Sequence, residues 1–93
     1  MLYATATGFI THDIKIKKKG NKQKSVIQIA CKQYNATQFI NVIIRDNLCN
    51  SLVYAQKGTL VSLKGNLKIK KIQKEKGPAI YYTYIDADFL QLL

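Results

Sequence analysis

The sequence predicts an all-β domain with one helix, placed between the third and fourth of five strands. Three observations carry that prediction. Apolar and polar residues alternate along most of the chain, as they do where successive side chains point to opposite faces of a sheet. The period changes once, over residues 46–57, to the spacing of one helix face. Two turn signals, Gly20-Asn21 and Gly77-Pro78, stand between alternating stretches. At 93 residues the chain makes a single domain, 1–93, large enough for one core.

The first strand runs from Leu2 to Thr11, with Leu2, Ala4, Ala6, Gly8 and Ile10 on one side and Tyr3, Thr5, Thr7 and Phe9 on the other. Gly8 within it marks a bulge or a bend. His12 to Lys24 reads as a basic hairpin arm turning at Gly20-Asn21; a mobile solvated loop is the plainer reading of the same residues. The second strand, Ser25 to Tyr34, places Ile27, Ile29 and Cys31 inward and Gln28, Ala30, Lys32 and Tyr34 outward. The third, Gln38 to Arg45, places Ile40, Val42 and Ile44 in the core and Phe39, Asn41, Ile43 and Arg45 on the other face. The short connection makes these two strands antiparallel neighbours.

From Asp46 to Lys57 the apolar residues Leu48, Leu52, Val53 and Ala55 predict a helix. Asp46 or Asn47 would cap its start and Lys57-Gly58 would end it. The fourth strand, Thr59 to Ile72, sets Val61, Leu63, Gly65, Leu67 and Ile69 against Leu60, Ser62, Lys64, Asn66, Lys68, Lys70 and Ile72. A second basic turn, Gln73 to Pro78, leads to the last strand, Ala79 to Leu90. There Tyr81, Thr83, Ile85, Ala87 and Phe89 share one side and Tyr82, Tyr84, Asp86 and Asp88 the other. Five short antiparallel strands with a helix in this position match the OB fold, a five-stranded Greek-key barrel that binds oligonucleotides. A plain antiparallel sheet with a packed helix is the alternative.

Charge narrows the function. Fifteen Lys and Arg against five acids give a formal +10, and Arg45 is the single arginine. Scattered lysines would only solubilise the surface, but these bunch in residues 15–24 and 64–76, which points to a polyanionic partner, nucleic acid. Lysines hold phosphate as point charges and do not read guanine edges bidentately. Cys31 and Cys49 have no CxxC spacing and His12 is alone, so no metal or other cofactor is expected; two buried free thiols in a reducing cytoplasm are. The apolar runs fall short of a membrane span, and no export leader opens the chain. No nucleophile accompanies His12, and Asp86 with Asp88 is too sparse a pair for a metal, so an enzyme is not expected.

Four stretches carry a family likeness: Gly8-Phe9-Ile10-Thr11-His12-Asp13, Ser25 to Gln33, Gln38 to Ile44, and Lys57-Gly58-Thr59-Leu60-Val61-Ser62-Leu63-Lys64-Gly65-Asn66-Leu67. The first looks like Gly-x-Leu-x-x-Asp and the last, the most specific, like Lys-Gly-x-x-Val-x-Val-x-Gly-x-Leu. Together they resemble bacterial single-stranded DNA-binding proteins of the OB-fold type, over nearly the whole chain. The resemblance implies that Tyr34 and Phe39 stack bases. It implies that Ile72 occupies a third stacking place but has lost the ring, and that Arg45 stands where the family often has another ring or a basic residue. The family's Gly/Pro-rich linker and acidic tip have no counterpart before Leu93. Tail-less relatives are typical of phages, plasmids and other mobile elements, and such an origin is expected here.

Single-strand binding without sequence choice needs a cationic groove and exposed rings on which bases stack at roughly 1–3 kcal/mol each. In phase along the strands lie Tyr34 with Lys32, Phe39 with Arg45, and Ile72 with Lys68 and Lys70. Lys64 on the fourth strand, Lys17 and Lys19 on the arm, and the outward rings Phe9 and Tyr82 complete the expected interface. Stacking outweighs core packing for Phe39 and, by a thinner margin, a rim position for Tyr34; Tyr82 and Tyr84 read equally as a subunit contact. Tyr3, Tyr54, Tyr81 and Phe89 are assigned to core or interface. Single-stranded DNA is the expected partner, with self-association into a dimer or tetramer and a helicase or polymerase as further partners. An RNA-binding OB module of the cold-shock or initiation-factor sort is the second function class, and a protein-interaction module of a replication complex the third.

Overall fold

The structure, a computed structural model, describes residues 2–73 and 75–93; Lys74, part of the expected second basic turn, lies outside the described residues. Six strands form, β1 (Tyr3–Ile10), β2 (Lys17–Lys19), β3 (Lys22–Gln33), β4 (Ala36–Arg45), β5 (Leu60–Ile72) and β6 (Ile80–Leu92), with a 3₁₀ helix, Asp46–Tyr54, after β4. Their order is β1-β5-β6-β4-β3-β2, and a further β1–β3 pairing closes five of them into a ring, the arrangement expected of the OB fold. The extra strand, β2, is the first limb of the basic arm, paired Lys17↔Lys24 and Lys19↔Lys22 about a turn where Gly20 takes a φ of +61°. One pairing is not antiparallel as expected. β4 and β6 run parallel, Asn41↔Tyr84 and Ile43↔Asp86, because the helix and β5 carry the chain across before it returns.

The alternation places the core where it should. Ile10, Ile27, Ile29, Val42, Ile44, Val61, Leu63 and Ile85 are buried inside the ring, with Cys49 and Leu52 of the helix below. Gly8 sits where β1 leaves β5 for β3: a Cβ there would come within 2.5 Å of the Ala30 carbonyl oxygen, so a side chain would prise the two strands apart. The base of the arm is tethered, not loose. Ser25 Oγ donates to the Lys15 carbonyl at 2.8 Å, Thr11 N–H to the Gln28 carbonyl at 3.0 Å, and Ile14 and Ile16 pack against the core.

The geometry corrects the helix, its cap and the burial of several residues on the last two strands. The helix is 3₁₀, not α, and stops at Tyr54 before Lys57-Gly58. Its three-residue repeat brings Cys49, Leu52 and Ala55 inward and leaves Val53 69% exposed, where a 3.6-residue repeat would have buried it. Asp46 does not cap it; its Oδ1 accepts the Gln23 N–H of β3 at 3.3 Å, with Asp46 itself at a φ of +50°. In β6 a bulge opposite Lys64/Gly65 leaves Asp88 without a partner and flips the phase, so Leu90 is buried and Phe89 is exposed. The far halves of β5 and β6 outrun the core, which puts Ile69 and Tyr81 in water. Tyr3 and Tyr54, assigned to core or interface, are exposed and so lie outside the core.

Candidate nucleic-acid interface

The outer face of the β3–β4–β6–β5 sheet is set row by row by the registers. Lys24 lies opposite Arg45, Val26 opposite Ile43, Gln28 opposite Asn41 and Ala30 opposite Phe39. Asn41 then meets Tyr84, which pairs with Lys68, and the hairpin beyond adds Lys70↔Tyr82 and Ile72↔Ile80. A groove of ≈ 550 Å³ crosses this face, lined by Lys24, Val26, Asn41, Ile43, Arg45, Ile69, Lys70, Ile72, Tyr82, Thr83 and Tyr84. It meets a second, of ≈ 710 Å³, at Lys24 and Arg45; Lys17, Lys19 and Lys22 of the arm line that one with Gln23 and Asp46. The two share Lys24 and Arg45 and form one channel, its arm end lined mostly by cations and its sheet end mostly by apolar and aromatic side chains.

Aromatic rings stand along and beside it. Phe39 is 61% exposed, and Phe9, 43% exposed, flanks the same Ala30 from β1, so two phenyl rings bracket a small residue on adjacent strands. Tyr34 is fully exposed but not on a strand: it occupies the β3–β4 turn with a φ of +53°, next to the Lys32↔Thr37 pair. Tyr82 and Tyr84 line the groove itself. Lys64 is not brought there. It lies opposite Thr5 on the β1–β5 side, its Nζ 4.9 Å from the centre of the Phe89 ring, a cation–π contact made possible by the bulge.

The two acids of β6 are both engaged within the protein. Asp86 pairs with Arg45 Nε at 3.3 Å and Lys68 Nζ at 3.2 Å. Asp88 accepts the Tyr3 hydroxyl proton at 2.7 Å, a hydrogen bond that raises the phenol's pKa above its ordinary value. Both cysteines are free, and burial raises the pKa of each thiol and keeps it protonated. Among the described residues no three of His, Cys, Asp or Glu gather as metal ligands, and no helix is long and apolar enough to cross a membrane.

Lys24, Val26, Asn41 and Ile43 line the groove without having been singled out from the sequence, and Tyr84, weighed there as a subunit contact, lines it too. Phase alone would have found them, since each is in step with a residue already placed outward. What was missing was the lateral order of strands, which makes β3 and β6 flank β4.

A model of the single-strand binding protein family matches residues 3–93. A single-stranded DNA-binding protein of Streptococcus mutans is 34% identical over 59 residues, 59% of this chain and 34% of that protein. The matched segment thus spans about a third of that relative's length. Among solved structures, the mitochondrial single-stranded DNA-binding protein of S. cerevisiae matches with a TM-score of 0.87 at 18% identity, over 99% of this chain and 94% of that one. At that identity the likeness is one of fold.

Proposed function

We propose that this chain, which belongs to the single-strand binding protein family, binds single-stranded DNA without sequence choice in replication or recombination. The observation that carries the reading is the continuous channel across β3, β4, β5, β6 and the arm, with lysines gathered at the arm end, Tyr82 and Tyr84 at the sheet end, and the exposed Phe39 on the same sheet face. Lys17, Lys19, Lys24 and Lys70 hold the phosphates, and Phe39, Tyr82 and Tyr84 offer faces for bases. Phe9, Tyr34 and Lys32 extend the surface past Ala30, and Ile72 gives an apolar contact at the hairpin. Few of these side chains suit bidentate reading of a base edge, so affinity follows strand geometry and charge.

The protein acts by binding, not by turnover, and its two free thiols fit a reducing cytoplasm. Self-association is part of the reading. β1 pairs with β5 along one edge but with β3 only at Phe9 and Ile10, so the edge from Tyr3 to Thr7 is open to a second copy. Titration with oligo-dT, oligo-U and duplex DNA at one salt concentration tests the function. Tightest binding is expected for oligo-dT, with log affinity falling by about 0.7 per phosphate neutralised as log salt rises. Equal affinity for duplex, or a flat salt response, would overturn it; preference for oligo-U would move the protein to the RNA class.

A further inference from the structure

Behind Arg45, at the edge of the groove, lies an anion of the protein's own. Asp86 lies opposite Ile43 on β4 and Asn66 on β5; Arg45 and Lys68 each stand two residues further along those strands. They are diagonal neighbours on one face, within reach of long side chains. Asp86 Oδ1 accepts from Arg45 Nε and Oδ2 from Lys68 Nζ, at 3.3 and 3.2 Å. The carboxylate is 17% exposed while its two partners are 48% and 49% exposed, so it lies beneath the cations; Arg45 lines the channel, and Lys68 directly precedes the lining residues Ile69 and Lys70. Lys24 and Lys70, in the same groove, have no carboxylate partner among the described residues.

We propose that Asp86 is a built-in counter-anion for the DNA channel: it occupies the places on Arg45 and Lys68 that a phosphate takes, and a strand binds there by exchange with it. The inference rests on the reading of the channel as a single-strand site. Asp86 orders two long side chains before DNA arrives, and the exchange passes Arg45 Nε and Lys68 Nζ from carboxylate to phosphate. It also cancels part of their charge, which loosens the strand and eases its release. The cations of the channel therefore fall into two classes, those already neutralised and those waiting.

The test compares oligo-dT binding by the parent, Asp86→Asn, Lys68→Gln and Lys70→Gln across a salt series. Asp86→Asn is expected to bind roughly three- to tenfold tighter at low salt, since a like charge about 6 Å from a phosphate is removed. Its salt slope steepens by up to about 0.7 for each phosphate gained. The lysine variants change exposed side chains and keep the comparison independent of how Asp86→Asn folds. Lys70→Gln loses about 0.7 of slope and Lys68→Gln clearly less, and the gap closes in the Asp86→Asn background. Equal losses for the two lysines in the parent, or an Asp86→Asn protein that binds no tighter, would overturn the counter-anion while the parent's binding keeps the channel reading. A parent that does not bind oligo-dT at all overturns both.

Discussion

Phe39 keeps 61% of its surface in water although it stands mid-strand, between the buried Val42–Ile44 stretch and the β3–β4 turn. A ring so placed contributes little to the core and is free to stack. Phe39→Ala should therefore leave the melting temperature nearly unchanged and weaken oligo-dT binding by about 1–3 kcal/mol, with the salt slope untouched because no phosphate contact is lost. Phe89→Ala serves as the contrast: its ring is exposed too, but faces Lys64 away from the channel, and binding should hold. Loss of stability on the scale of a buried ring, about 3–5 kcal/mol, would show instead that Phe39 belongs to the core. At this scale much was legible. Phe39, Arg45 and Ile72 were placed outward by phase alone, because a strand leaves only two faces to choose from. Tyr34 shows the limit, since its turn conformation takes it out of phase with any strand.

The bulge in β6 governs more of the site than any other local feature. Opposite Lys64/Gly65 it inserts Asp88, so that Ile85 and Ala87 face the core before it and Leu90 after it. Simple alternation carried the reading correctly as far as Ala87 and failed at Phe89, because a bulge changes the period without needing a Gly or Pro in its own strand. Its permissive partner is Gly65, across the ladder. A Cβ there would collide with the Asp86 carbonyl oxygen and stand 2.6 Å from the Ala87 Cα. Gly65→Ala is expected to destabilise the fold by about 1–3 kcal/mol, the usual toll of overpacking against backbone, and to lower the urea midpoint accordingly. An unchanged midpoint would mean that β5 and β6 can separate here without loss. The helix failed to read as 3₁₀ for a comparable reason. Over nine residues, repeats of 3.0 and 3.6 differ by little more than the position of Val53.

At the scale of the molecule the question is how one small domain holds a strand firmly. The sequence made the charge legible, +10 in total, but not its layout, which depends on β2 and β3 folding the arm against Arg45. A single channel carries few cations, and one of them, Arg45, is paired with Asp86. A second copy would add a second channel to the same strand, at an effective concentration that flexible DNA keeps high. The open edge of β1 provides the means. Even-numbered residues bond to β5, as the Leu67 N–H to Leu2 carbonyl and Ile10 N–H to Thr59 carbonyl bonds show at either end of the pairing. In an antiparallel ladder the alternate residues then point their N–H and C=O the other way, so Tyr3, Thr5 and Thr7 present theirs to the free side. Proline is tolerated on such an edge because it removes only the outward donor. Thr5→Pro should therefore stay folded, with its β5 ladder intact, and lose the ability to pair. Light scattering on the parent is expected to give a multiple of 10.6 kDa at micromolar concentration, and on Thr5→Pro a mass near 10.6 kDa. Oligo-dT affinity should fall with it, most for oligonucleotides long enough to span two channels and least for short ones. A parent of 10.6 kDa throughout would remove the pairing. A Thr5→Pro protein that keeps the parent's mass would move the contact to another surface, of which the exposed Val53 and Tyr54 beside the helix are the next to test.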